Sequence, residues 1–169
     1  YNITPNLRLR YKWNKTTTLN VMYRGSTSQP SMTDLLDITD DSDPLNITKG
    51  NPGLKPSFNS RLMAFFNTYN ADSQTGFSAN LGFNNTLNSV TRKVTYIEET
   101  GGRITQPVNI NGNWGANSGF NFNSALPINK KFTYSTGTNL SYQNQESYIS
   151  INRNSSSQRN KVRTVNVRE

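Results

Sequence analysis

The chain has 169 residues, a net charge of +8 and only 32% hydrophobic residues, with a mean hydropathy of -0.75, enough for one domain but poor in the material of an ordinary core. With no Cys and no His it has no disulfide framework, no thiolate metal site, no usual general base and no Ser-His-Asp triad, so an enzyme is not expected. Disorder fits no better: charged residues are 17% and aromatics 11%, and Asn, Thr and Ser lead the composition, which points to strands with one polar and one apolar face.

The first run, LRLRYKW, alternates Leu7, Leu9, Tyr11 and Trp13 with Arg8, Arg10 and Lys12, the period-two pattern of a strand with a basic face. NKTT reads as a turn, and TLNVMYRG as a strand with Leu19, Val21 and Tyr23 on one face. Ser26 to Pro56 is a long polar segment holding Asp34, Asp37, Asp40, Asp41 and Asp43; its length marks it as functional or disordered. It ends in GNPGLKP, where Pro52 and Pro56 remove two donors and Gly50 and Gly53 permit turn geometries. Strand character resumes at about Phe58 and runs to Tyr69, NADSQ turns, and TGFSANLGFNN places Phe77, Ala79, Leu81 and Phe83 opposite Gly76, Ser78, Asn80, Gly82 and Asn84. The pattern continues to about Glu98, and EETGGR reads as a hairpin with glycines at positive φ. The return run carries Trp114, Ala116, Ser118, Phe120, Phe122, Ser124 and Leu126 on one face and Asn113, Asn117, Asn121 and Asn123 on the other. PINK turns, strand pattern follows from Phe132 to about Arg153, NSSSQRN forms a loop, and Lys161 to Glu169 is a last strand. Helical periodicity is found nowhere.

Short turns alternate with long connections, the mark of a transmembrane β-barrel with short periplasmic turns and long extracellular loops. The fold class expected is all-β, an antiparallel up-and-down meander of about seven strands within such a barrel. Its apolar face meets lipid and its Asn, Ser, Gly and Arg face meets a wet lumen or a plug. Taken as one strand, Thr75 to Glu98 would span roughly 80 Å at about 3.3 Å per residue. Tilted by about 40° it would rise on the order of 60 Å, well over the apolar band of about 25 Å, so its outer part is expected to stand clear as an extended hairpin. The longest apolar run, Leu62 to Phe66, is far short of the roughly 20 residues of a membrane-spanning helix. Starting at Tyr1 within strand-like sequence, the chain reads as a single segment, 1–169, excised from a longer protein.

GNPGLKPS resembles the GNP-x-L-KP-E signature of TonB-dependent outer-membrane receptors. SDPLNITKGNPGLKP is most similar to the Bacteroidetes-type outer membrane protein beta-barrel family, and ETGGRITQPVNINGNW with GFNFNSALPINKKF is similar to its downstream strand-turn-strand block. Ser57 stands where that family usually has Glu. The resemblance implies a middle portion of the barrel, some seven strands of about twenty-two, without plug domain, TonB box or barrel closure. It implies uptake of a scarce solute, an iron chelate, a glycan or a similar molecule. The implied partners are the TonB energy-transduction system acting through the plug, outer-membrane lipid and a surface lipoprotein; the implied location is the bacterial outer membrane, and no cofactor is implied. The signature residues Gly50, Asn51, Pro52, Leu54, Lys55 and Pro56 are expected to build a stiff strand entrance rather than a ligand contact, with Leu54 anchoring it to the wall.

Other readings compete. DLLDITDDSD offers carboxylates for Ca2+ but lacks EF-hand spacing and its glycine, so a solvated outer loop is preferred. Arg8, Arg10 and Lys12 could meet nucleic acid, yet no RNA-binding motif or groove helix accompanies them, and a lumen face is preferred. Trp13, Trp114, Tyr11 and Tyr23 suit sugar stacking or, more plainly, interfacial girdles. The sequons at Asn46 and Asn154 carry no meaning in a bacterial protein. The alternative to the receptor is a secreted or surface β-sandwich for adhesion or glycan binding, which would show turn signals every 8 to 12 residues or so. An isolated seven-stranded segment leaves edges and an apolar face open, so it is expected to self-associate.

Overall fold

The computed structural model describes residues 4–126, 131–149 and 157–169. In chain order the elements are β1 (Asn6–Lys12), β2 (Thr18–Ser28), α1 (Met32–Leu35), β3 (Thr39–Asp40), β4 (Asn46–Lys49), β5 (Ser57–Asn70), β6 (Thr75–Leu87), β7 (Ser89–Tyr96), β8 (Arg103–Ile110), β9 (Asn113–Ala125), β10 (Thr133–Ile149) and β11 (Gln158–Arg168). Seven strands form one antiparallel wall in the order β1-β2-β5-β6-β9-β10-β11, and a second sheet runs β3-β4-β8-β7. The wall is the expected meander of about seven strands.

Cross-strand register turns the alternation in the sequence into continuous rows. Leu7, Tyr23, Leu62, Phe83, Ala116, Tyr142 and Val165 form one row; Leu9, Val21, Ala64, Leu81, Ser118, Leu140 and Val167 form the next. A one-residue slip anywhere would turn a strand's apolar set to the wrong face, so the rows fix the register of the whole wall. The apolar face is uncovered: Leu81 is 61% exposed, and Leu7, Leu9, Phe83, Phe120, Leu140 and Val165 are exposed with it. A sandwich would lay a second sheet there, so the sandwich reading fails. Aromatic rings gather at both ends of this face. Tyr11, Trp13, Phe66 and Phe77 form a chain of ring contacts near the short turns, and Phe83, Trp114 and Tyr142 another near the long connections. From Tyr134 to Tyr142 the strand climbs about 26 Å at about 3.3 Å per residue, or on the order of 20 Å of height at a tilt of about 40°. That matches the girdles of a bilayer-spanning wall.

On β6, β9 and β10 the opposite face is paved with short polar side chains, and on β2 and β5 it also carries Met22, Met63 and Phe65. Gly76, Gly82, Gly115, Gly119 and Gly137 each pair across strands with an asparagine: Asn123, Asn117, Asn84, Asn80 with Asn139, and Asn121. The amide oxygen of each asparagine folds over its glycine, under 3.0 Å from where a Cβ would stand. Arg8, Arg10, Lys12, Arg24 and Arg61 share this face at the β1 side.

Four expectations need correction. Thr75 to Glu98 is not one strand: β6 ends at Leu87, Asn88 takes φ 52, and β7 begins at Ser89. Opposite it, Gly112 at φ 116 separates β8 from β9. The 13 residues of β6 rise about 33 Å at about 3.3 Å per residue and a tilt of about 40°, so the break falls just above the apolar band. Second, Ser26 to Pro56 is neither plain loop nor free of helix. β2 continues to Ser28, a one-turn helix is capped by Ser31, and β3 and β4 follow. Third, the antiparallel rule has one exception, since β4 runs parallel to β8. Fourth, Gln158–Asn160, expected in the loop, already belong to β11, where they pair with Ile149, Tyr148 and Ser147. Pro127–Lys130 and Asn154–Ser156 lie outside the described residues.

The register passes through the break without a slip: Thr86 faces Asn113 below it and Ser89 faces Ile110 above it. Yet the arms exchange sides. In the wall β9 lies beside β10 and β6 beside β5. Above the break β7 is the arm next to β10, with Lys93 Nζ 5.9 Å from the Tyr148 ring and the Val94 amide donating to Ser157 Oγ at 2.9 Å. There β8 turns toward β4, which belongs to the β2–β5 connection. The hairpin is a two-stranded ribbon that reverses as it leaves the membrane, and such ribbons tolerate strong twist.

The two faces predict opposite responses to charge. Leu81→Lys is expected to cost about 2–4 kcal/mol at the middle of the lipid face, and Ser141→Lys, at nearly the same height on the polar face, within about 0.5 kcal/mol. Denaturant unfolding of the intact barrel in lipid vesicles measures both; equal losses would contradict the assignment of faces.

Candidate functional site

The outer sheet is assembled by the segment that carries the signature. Asn51 to Leu54 make a turn closed by the Leu54 amide on the Asn51 carbonyl at 3.2 Å. Asn51 Oδ1 also accepts from the Gly53 amide at 3.0 Å, and Pro52 presets the corner. Asn51 Nδ2 donates to the Pro107 carbonyl at 2.9 Å, and Gln106 Nε2 donates to the Gly50 carbonyl at 3.1 Å. Asn109 grips the far end: its Oδ1 accepts from the Lys55 amide at 2.7 Å and its Nδ2 donates to the Lys55 carbonyl at 3.0 Å. The Gly50 and Asn51 amides donate to the carbonyls of Ile38 and Asp34 at 3.1 and 2.7 Å. Gly50 to Pro56 is therefore a strap that ties the acidic connection to β8. Leu54 anchors it, 8% exposed, while Pro52, Lys55 and Pro56 stay on the surface.

Gly50 and Gly53 do not take positive φ; Gly101 and Gly112 are the glycines that do. Gly50 is required for space, because the Leu36 carbonyl fills the position of its Cβ. Ser57 begins β5 facing Ser28, its hydroxyl donating to the Ser28 carbonyl at 3.3 Å.

Beneath the strap lies a polar node. The Asn88 amide donates to Asn111 Oδ1 at 2.6 Å, and Asn109 Nδ2 reaches the Asn88 carbonyl at 2.8 Å. From β10, Asn144 Nδ2 donates to the Gly112 carbonyl at 2.5 Å, and the Glu146 amide donates to Asn113 Oδ1 at 2.6 Å. The Glu146 carboxylate fills the space of a Cβ at Gly112 and pairs with Arg159 and, at 3.7 Å, Lys161. Arg159 also donates to the Asn111 carbonyl at 2.6 Å. Asn144 is 2% exposed and its Oδ1 is unpaired among the described residues.

Outside the node, a cavity of about 320 Å³ opens between α1, β3, β4 and the hairpin, lined among others by Asp34, Asp40, Lys49, Arg92 and Thr105. Its mixed charge suits a polar solute. Asp34, Asp40 and Asp43 spend carboxylate oxygens on local turns. Asp34 accepts from Ser31 Oγ at 2.6 Å. Hydrogen bonds from the Ser42 hydroxyl and amide hold the Asp40 carboxyl below the usual range, and Asn46 with the Leu45 amide does the same for Asp43. Both stay ionised above the ordinary carboxylate range, so the loop is anionic at neutral pH. No group of three or more acidic side chains converges on a metal position among the described residues.

Sequence reasoning marked Gly50–Pro56 as a stiff strand entrance; it did not foresee the strap or the side chains that receive it. Asn109, Gln106, Asn88, Asn111, Gly112 and Glu146 were available to it: Asn111-Gly112 is a turn signal, and Glu146 is the sole acid between Glu99 and Glu169.

The model of the outer membrane protein beta-barrel family matches residues 1–168. The chain belongs to that family. As a member of the outer membrane protein beta-barrel family it is a protein of the bacterial outer membrane, its uncovered apolar face turned to lipid. The long connections, and with them the strap, node and cavity, lie on the extracellular side. No curated protein matches the chain significantly.

Asn109→Ala removes three hydrogen bonds and is expected to loosen the strap by about 1–3 kcal/mol without unfolding the wall. Hydrogen exchange should quicken over Gly50–Pro56 and stay unchanged over β5, β6 and β9; unchanged exchange in the strap would contradict its dependence on Asn109.

Proposed function

We propose that the chain forms part of the wall of a TonB-dependent receptor, a transporter rather than an enzyme, that takes up a scarce solute such as an iron chelate or a glycan. One observation carries the reading: on β6, β9 and β10 the lumen face is paved with Gly, Ser and Asn, with longer side chains such as Arg10, Met22, Met63 and Phe65 on β1, β2 and β5. Small barrels fill their interior with their own side chains, whereas barrels of about twenty-two strands hold a separate plug. Side chains this short leave a lumen that another domain fills. The likeness of GNPGLKPS to the receptor signature supports the same conclusion, and so does the braced outer sheet, whose mixed-charge cavity offers capture of a polar solute.

In this reading the outer sheet captures solute, a plug closes the barrel, and the TonB system acts through the plug to release it. A surface lipoprotein is a partner for capture. The basic stripe of Arg8, Arg10 and Lys12 meets plug carboxylates or anionic solute rather than nucleic acid.

Loss of the full-length protein is expected to impair growth on one member of a panel of iron chelates and polysaccharides, and loss of TonB function to reproduce that defect. A defect indifferent to TonB, with solute entering by passive diffusion, would contradict the proposal.

A further inference from the structure

We propose that the outer part of the lipid-facing side, from β5 to β11, is a binding site for a phosphorylated, acylated glycolipid of the outer leaflet. Register places a hollow there. Ala116 lies between Phe83 and Tyr142, and Ser118 lies between Leu81 and Leu140. Small residues on β9 between large ones on β6 and β10 leave a depression of about 470 Å³ that reaches from Leu62 and Ala64 of β5 to Val165 of β11. Its lining is overwhelmingly apolar, and on β9 Trp114 stands at the same face above it and Phe120 below. Such a surface favours a hydrocarbon chain over water.

Charge identifies what lies above the chain. Along β11 the same face carries Val167 and Val165, then Arg163, Lys161 and Arg159, opposite Leu140, Tyr142, Asn144, Glu146 and Tyr148 of β10. The face changes from apolar to cationic within one step, directly above the upper aromatic girdle. Glu146 engages Arg159 and Lys161, so three cations face one carboxylate. Arg163 is exposed and makes no hydrogen bond or ion pair among the described residues. A guanidinium at the bilayer surface with a second cation beside it suits a phosphate. At the other end of the same face β10 presents Tyr134. The cations lie at the end with the long connections, hence at the outer leaflet, whose lipid is a phosphorylated glycolipid. Phosphate on Arg163 and Lys161, with an acyl chain running down past Val165 into the hollow, satisfies both halves of the site. This inference rests on the membrane location and is independent of the transport reading.

The test is native mass spectrometry and phosphorus analysis of the full-length protein extracted in mild detergent. The wild type is expected to retain one phosphoglycolipid per barrel. Arg163→Glu with Lys161→Glu should lower retention at least fivefold, and so should Ala116→Leu, which fills the hollow without touching the charges and carries the test if the double reversal fails to assemble. Arg10→Glu, on the opposite face, should retain the lipid. A wild type without bound lipid, retention unchanged in Ala116→Leu, a phospholipid in place of the glycolipid, or a protein seated on this face would each overturn the proposal.

Discussion

The outer hairpin leaves the wall through two residues of positive φ set one register step apart on its two arms, Asn88 and Gly112, and the architecture above the membrane follows from how that crossing is held. Because the pairing does not slip, the ribbon can reverse without breaking its ladder. Reversal turns the edge of β8 toward the β2–β5 connection, where it can pair with β4 and receive the strap. It also turns β7 toward β10. A free two-stranded ribbon is marginal in water; here Asn144, Glu146 and Arg159 hold its base and Asn51, Gln106 and Asn109 hold its flank. A side chain at Gly112 would meet both the unfavourable φ and the Glu146 carboxylate.

The wall was legible in the sequence because period-two alternation is the direct imprint of a sheet with lipid on one side and water on the other. Phe77 to Phe83 and Trp114 to Ser124 keep their faces without exception. The crossing left one trace, a change of the apolar set from odd positions (Phe77, Ala79, Leu81, Phe83, Leu87) to even ones (Val90, Val94, Tyr96) at Asn88; a change of phase marks a break in the strand but not the direction the ribbon takes beyond it. The acidic connection was misread for a related reason. β3 and β4 are two and four residues long, too short for periodicity to register, and they exist because β8 supplies an edge. GNPGLKP was legible as a stiff element from Pro52 and Pro56, while its receptor, Asn109 and Gln106, lies more than fifty residues away and left only scattered amides in the sequence.

The composition that looked poor for a globular domain has a physical reason on each face. Lipid replaces the core, so the described residues bury few hydrophobic side chains, Leu54, Ile110 and Ala125. On the lumen side, asparagine supplies donors and acceptors that lie flat, and glycine makes room for them. On β6, β9 and β10 the result is a polar, low-relief surface, bordered by the longer side chains of β1, β2 and β5 and capped outside by a braced sheet. Capture at a rigid outer platform and passage along a smooth interior are the two properties that the proposed transport requires.

The crossing of the outer hairpin is the claim on which this account most depends, and because these 169 residues hold no cysteine a thiol pair can be placed in them at will. Lys93 and Gln106 are register partners on the two arms, so each can be tested against Tyr148 in the full-length protein with a short bifunctional thiol crosslinker. The account predicts efficient crosslinking of Lys93→Cys with Tyr148→Cys and little with Gln106→Cys. The opposite preference, β8 rather than β7 linked to β10, would show an uncrossed hairpin and would contradict it.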